Sequence, residues 1–118
     1  MKLTDLDARF VQWGQGVMPK ANSLAEAHGV LFQCPLCAQG KPVVDFEESP
    51  GRRGVRGAHY VLCWFVGKVA DDVEPKPGRW NPIGTSLGDL TFVGPGAASV
   101  QLLGGCNWHG FVSNGNGT

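Results

Sequence analysis

HYVLCWFV, His59 to Val66, contains the longest unbroken apolar run in the chain. Its residues do not alternate between polar and apolar. A strand here needs cover on both faces, which predicts a central place in a sheet. Shorter apolar segments bounded by turn residues lie on either side. GVLFQC (Gly29–Cys34) and VVDF (Val43–Phe46) precede it; LTFV (Leu90–Val93), SVQLL (Ser99–Leu103) and a strand within HGFVSNGNGT follow it. ARFVQW predicts a further strand from Arg9 to Trp13, and GPGAA reads as the turn of a hairpin between LTFV and SVQLL. Ser23, with Glu26 three residues on, has the form of a capping box and predicts one helical turn. The expected fold is mainly β: about six or seven short strands, in a twisted antiparallel sheet or sandwich, with at most one or two short helices.

The totals agree with that reading. A chain of 118 residues is expected to form a single domain, residues 1–118. Gly 18 and Pro 8 are a heavy load of turn formers and favour short strands over long helices. Ten basic residues balance ten acidic ones. A neutral chain lacks the field that draws proteins to phosphate backbones, so nucleic acid is an unlikely partner. GRRGVRG (Gly51–Gly57) is the local exception, with three arginines among glycines. The surrounding polar stretch, residues 47–57, is expected to be a flexible loop without an apolar anchor. MKLTDLDARF has no signal-like apolar segment, and no run reaches the length of a membrane span. The chain therefore reads as cytoplasmic. Thiols stay reduced there, and its four cysteines suit ligands or core residues better than disulfides.

Those cysteines fall into a pattern. CPLC places Cys34 and Cys37 three apart, and GGCNWHG places Cys106 and His109 three apart between glycines. Two such steps supply the four ligands that a structural zinc takes tetrahedrally. Gly110 directly follows His109, where a left-handed backbone would let amides point at sulfur. Closing the long loop between the steps costs about 3.8 kcal/mol. Zinc binding at such sites is worth roughly 10–16 kcal/mol, so the ion easily offsets the closure. Cys34, Cys37, Cys106 and His109 are the expected ligands of a zinc-knuckle-type centre, with Trp108 shielding it from water. A redox C-x-x-C should open a helix after a strand, whereas the residues after Pro35 suit a turn. Cys63 reads as a buried core thiol, and His28 and His59 as surface or satisfied core histidines.

Three cysteines and one histidine would close the metal shell, leaving no position for catalytic water. H-E-x-x-H, G-x-S-x-G, the phosphate-cradling loop and the deaminase H-x-E pattern are all absent. Asp71, Asp72 and Glu74 read as a solvated acidic loop. No catalytic residue is assigned, and the balance is against an enzyme. GRWNPIGTSLGDL (Gly78–Leu90) is the more promising surface. Arg79, Trp80, Asn81, Thr85 and Asp89 are its candidate partner-binding residues, because interface energy concentrates in Trp, Tyr and Arg. Trp80 could equally pack over the sheet edge and pin the loop.

LTDLDARFVQW, LAEAHGVLFQCPLC, HYVLCWFVG, PGRWNPIGTSLGDLTFV and GGCNWHGFVSNG together cover most of the chain. In these segments and their order, it resembles a family of small phage and prophage proteins of unknown function with paired C-x-x-C and C-x-x-H motifs. It also looks like a distant relative of a wider bacterial domain that pairs an early cysteine motif with a late cysteine-and-histidine motif. EESPGRRGVRG departs from the pattern, which has a shorter Gly-rich stretch there. The resemblance implies a phage or prophage source, hence the host cytoplasm, and a metal-binding β fold. It implies no activity.

The function these readings favour is a non-enzymatic zinc-binding protein that acts as an adaptor or inhibitor on a host or phage protein. Two alternatives stand beside it: a nucleic-acid-binding zinc module using the arginine loop, and a small metallo-hydrolase.

Overall fold

The computed structural model describes residues 1–14, 19–47, 51–76, 78–94, 98–101 and 107–118. A 3-10 turn at Leu3–Asp5 precedes β1 (Arg9–Val11); β2 (Gly29–Gln33) runs into α1 (Pro35–Ala38), a single helical turn. β3 (Val44–Asp45), β4 (Arg53–Gly54) and β5 (Tyr60–Trp64) follow. The second half comprises β6 (Asn81–Ile83), β7 (Thr91–Val93), β8 (Val100–Gln101), β9 (His109–Gly110), β10 (Val112–Ser113) and β11 (Asn116–Gly117). The protein is thus mainly β, and the named strands pair antiparallel throughout.

One three-stranded sheet, ordered β1-β2-β5, carries the fold, and the other described strands pair off as β3-β4, β6-β7, β8-β9 and β10-β11. The pairing is antiparallel as expected of a sheet or sandwich, but it is divided among small sheets. Glycine and proline interrupt the pairing every few residues, so the short strands close small ladders rather than extending a shared one.

The HYVLCWFV segment forms β5, but β5 is the last strand in the order and β2 is the middle one. The inference from two-sided burial to a central place is therefore corrected. Both faces are indeed covered. Val61 and Cys63 face one cluster with Val30, Phe32, Leu3, Leu6, Leu90, Phe92, Val100, Trp108 and Val112. Trp64 lies in a second cluster with Val11 and Val69, against which Trp13, Leu31 and Leu62 pack. Layers above and below the sheet supply the cover, so a lateral neighbour is not needed. Beyond Trp64, a parallel bridge from Phe65 to Trp80 continues the edge.

Two further expectations change. Among the described residues β7 pairs with β6 and β8 with β9 rather than with each other, and most of the GPGAA turn lies outside them. β6 lies where a loop was read, and its Pro82 sits opposite Phe92. Proline is tolerated there because this two-stranded ribbon leaves each strand one open edge. The capping-box segment makes a turn rather than a helix, with Glu26 N–H donating to the Ser23 backbone oxygen at 3.3 Å and to its hydroxyl at 3.4 Å. In the tail, Asn114 and Gly115 both have positive φ, 50° and 76°, as a two-residue turn of the primed type requires, and they join β10 to β11.

The 47–57 segment has an apolar anchor after all. Val55 is buried, and its peptide group exchanges two hydrogen bonds with the Gln33 side-chain amide. Arg52 places a two-pronged ion pair on the buried Asp7 carboxylate, which also accepts from the Tyr60 hydroxyl. Gly54 passes directly over this group, where a Cβ would lie 2.5 Å from Gln33 Oε1 and 2.8 Å from Asp7 Cβ. The arginine spacing carried none of this, because Asp7 and Gln33 lie far away in sequence. No helix among the described residues is long and apolar enough to cross a membrane.

Candidate metal centre

β2 delivers the C-x-x-C step at its C-terminal end. Cys34 is the residue before α1, and Pro35 occupies the first helical position, where its fixed φ and missing N–H are no handicap. The step thus opens a helical turn rather than the expected simple turn, though one only four residues long. Gly40, with φ +80°, then reverses the chain. The turn leaves Cys34 buried and Cys37 partly exposed, so this corner has a dry side and a wet side.

His59 is the residue that the sequence reading passed over. Its Nδ1 lies 3.0 Å from Cys37 Sγ, and its backbone oxygen accepts from Cys34 N–H at 2.6 Å. A usable signal existed. Pairing Gly29–Cys34 against His59–Trp64 end to end sets Cys34 opposite His59. The strand was identified, but its register was not used. His28, the other histidine set aside, is engaged through Nδ1, which accepts from Trp13 N–H at 2.9 Å.

Of the four expected ligands, Cys106 lies outside the described residues. His109 is exposed on β9, and Trp108 beside it is buried edge-on against Phe32, with ring centroids 6.0 Å apart. Gly110 does not have the left-handed backbone expected of it. It is needed for room, since a Cβ there would lie 1.8 Å from the Thr118 backbone oxygen. Among the described residues of this segment, Asn107 is left-handed, with φ 53°. Among the described residues, no three His, Cys, Asp or Glu side chains form a group able to hold a metal. Cys63 is fully buried at the heart of β5, where burial pushes its thiol far above the usual range.

The candidate partner-binding residues divide. Arg79 directs its guanidinium inward to the backbone oxygens of Val69, Ala70, Val73, Pro75 and Gly78, which gathers the proline-rich loop around it. Trp80 stacks on Phe92 and donates its indole N–H to Ser99 O at 3.2 Å. Asp89 accepts from the backbone N–H of Ser86 and Thr85 and from the Thr85 hydroxyl, and these bonds hold its carboxyl below the ordinary range. Asn81 is exposed on β6, beside an outer face that also carries exposed Ile83 and Val93.

Trp80 also walls a groove of about 560 Å³ that runs along β5 past Tyr60, Leu62, Glu74, Lys76 and Gln101. The ladder bonds from Phe65 N–H to His28 O and from Cys34 N–H to His59 O fix which residues of β5 face β2. By alternation, the Tyr60 and Leu62 peptide groups point the other way, toward that groove.

Comparison with protein-family models, curated proteins and solved structures gives no match to this chain.

Proposed function

We propose that the protein is a non-enzymatic zinc-binding protein of phage or prophage type that acts as an adaptor or inhibitor by binding another protein. The observation that carries the zinc reading is the corner where β2 meets α1. Cys34 and Cys37 are set one helical turn apart there, and an imidazole lies 3.0 Å from the second sulfur. Thiolate and imidazole are the donors that zinc prefers, and a C-x-x-C step seats two of them on one turn. Cys106, from the second step, would complete the thiolate set. A shell closed by four such ligands has a structural role and holds no reactive water.

A protein partner is favoured over nucleic acid by the fate of the arginines. Arg52 is paired with Asp7, Arg53 lies 3.5 Å from both Asp5 and Asp45, and Arg56 covers the Phe46 ring. Two of the loop's three arginines thus sit beside carboxylates, which leaves this loop less free positive charge to track a phosphate backbone. The groove along β5 suits an extended peptide instead. Outward-facing peptide groups would bond its backbone, and Trp80 would take a side chain, as in recognition by strand addition.

Elemental analysis of purified protein tests the first half of this reading. One zinc per chain is expected, with less in Cys37→Ser and in Cys106→Ser; metal-free protein that is folded and stable in zinc buffer sinks it. Affinity capture tests the second half. A partner held by the wild type should be lost on Trp80→Ala and weakened by Lys76→Glu at the exposed rim, and identical recovery by all three removes the groove from consideration.

A further inference from the structure

We propose that His59 is itself a zinc ligand, through Nδ1, and supplies the imidazole that the C-x-x-H spacing assigns to His109; this rests on the zinc reading above. The first support is distance. A tetrahedral zinc with Zn–S near 2.3 Å and Zn–N near 2.0–2.1 Å holds sulfur and nitrogen about 3.5 Å apart. Cys37 Sγ and His59 Nδ1 stand 3.0 Å apart. One ion therefore seats between them after an outward shift of about half an ångström, which an exposed pair accommodates without disturbing the core.

The second support is register. The bond from Cys34 N–H to His59 O carries the β2–β5 pairing one step beyond Gln33 and Tyr60. Directly opposed residues in a ladder project from the same face. Cys34 and His59 thus share the face of Phe32 and Val61, and Cys37 returns to His59 through the turn of α1. Among the described residues no three donors already form a metal-holding group, so an ion would have to draw Cys34 in toward the Cys37–His59 pair.

The third support is the orientation of β9. Side chains alternate along a strand. Trp108 points into the cluster that contains Cys34 and Phe32, so His109, exposed beside it, points away from that cluster. With Nδ1 on the metal, Nε2 of His59 keeps its proton and faces solvent, a tautomer that an exposed ring holds without a buried acceptor.

Zinc titration of wild type, His59→Ala and His109→Ala, with cobalt(II) as a spectroscopic stand-in, separates the possibilities. Nitrogen-15 spectra of the wild-type histidine rings are recorded with and without zinc. The expected result is that His109→Ala retains its affinity, and that His59→Ala loses at least about 100-fold, more than loss of an outer-shell partner costs. The His59 Nδ1 resonance should move on zinc addition while Nε2 keeps its proton. Wild type that takes up no zinc overturns the zinc reading and this inference with it. Wild type that binds zinc with His59 Nδ1 unmoved, or His59→Ala that binds as tightly as wild type, overturns the assignment of His59 alone. Because the ring spectra are taken on unaltered protein, a variant that fails to fold does not rescue the inference.

Discussion

The Tyr60 hydroxyl donates a hydrogen bond to the buried carboxylate of Asp7, joining β5 to the segment just before β1. Burial first, and then the bond to Asp7 and the charge of Asp7, raise the Tyr60 hydroxyl above its ordinary value of 10.0. Folded protein therefore keeps this proton to a higher pH than the unfolded chain does. Its contribution to stability is whole below pH 10.0 and is lost as pH rises through the folded value. Tyr60 is the single tyrosine, so phenolate absorbance reports it without overlap. We expect native protein to titrate above denatured protein, and Asp7→Asn to narrow the gap. Coincident native and denatured curves would show that the hydroxyl is not held in this way.

Asp7→Asn also tests the staple that Arg52 makes. Asp7 has φ 49°, a left-handed conformation that asparagine adopts readily, so the substitution removes the charge and leaves the backbone unstrained. Breaking a fully buried ion pair costs about 3–5 kcal/mol. Arg52 keeps about a third of its side chain exposed, so we expect less, about 2–3 kcal/mol, in urea unfolding. A change below about 0.5 kcal/mol would class the contact with ordinary surface pairs.

Gly29 faces Trp64 across the β2–β5 ladder. A Cβ at Gly29 would lie 2.6 Å from the Trp64 ring and 2.7 Å from the Cys63 backbone oxygen. The backbone oxygen cannot turn aside as the end of a side chain can. Gly29→Ala should therefore destabilise by about 1–3 kcal/mol, as overpacked cores do. Gly14→Ala is the control, because open space surrounds that position. Equal stability of the two variants would mean that the ladder gives way more easily than its geometry implies.

How far the sequence could be read follows from these residues. The β5 segment was legible because its apolar run is local, and so was the burial of Cys63. Spacing placed Cys34 and Cys37 on one turn but did not show that the turn is helical. Asp7, Gln33 and Tyr60 were not legible, since each looks like an ordinary polar or aromatic residue until the register brings them to Arg52 and Val55. His59 was hidden for the same reason. β6 was hidden by Pro82, which argues against a strand except in a ribbon whose open edge the sequence does not announce. Arg79 shows another limit of composition, for the residue type that marks an interface anchor also suits a guanidinium that gathers its own loop.

Thiol chemistry should divide the cysteines by position. Cys37 is partly exposed, whereas Cys63 is fully buried with its thiol pushed far up, so little thiolate forms there. In metal-free native protein, iodoacetamide should modify Cys37 early and Cys63 only after denaturation, as read by peptide mass. Early labelling of Cys63 would mean that the two clusters flanking β5 open together on the timescale of the reaction.

Chelation tests whether the ion holds the fold as proposed. A ligand present at a thousandfold excess over its dissociation constant stabilises the bound state by about 4 kcal/mol. For a chain of 118 residues that corresponds to a melting shift of roughly 10–25 °C. The loss should be local before it is global. The Cys34 N–H to His59 O bond and the amides of α1 lie against the metal corner, so their hydrogen exchange should accelerate first. Val30, Phe32 and Cys63 are held from both faces of the sheet and should stay protected longest. If chelation strips a bound zinc while melting and exchange near Cys34 stay as they were, the ion occupies the corner without fastening it.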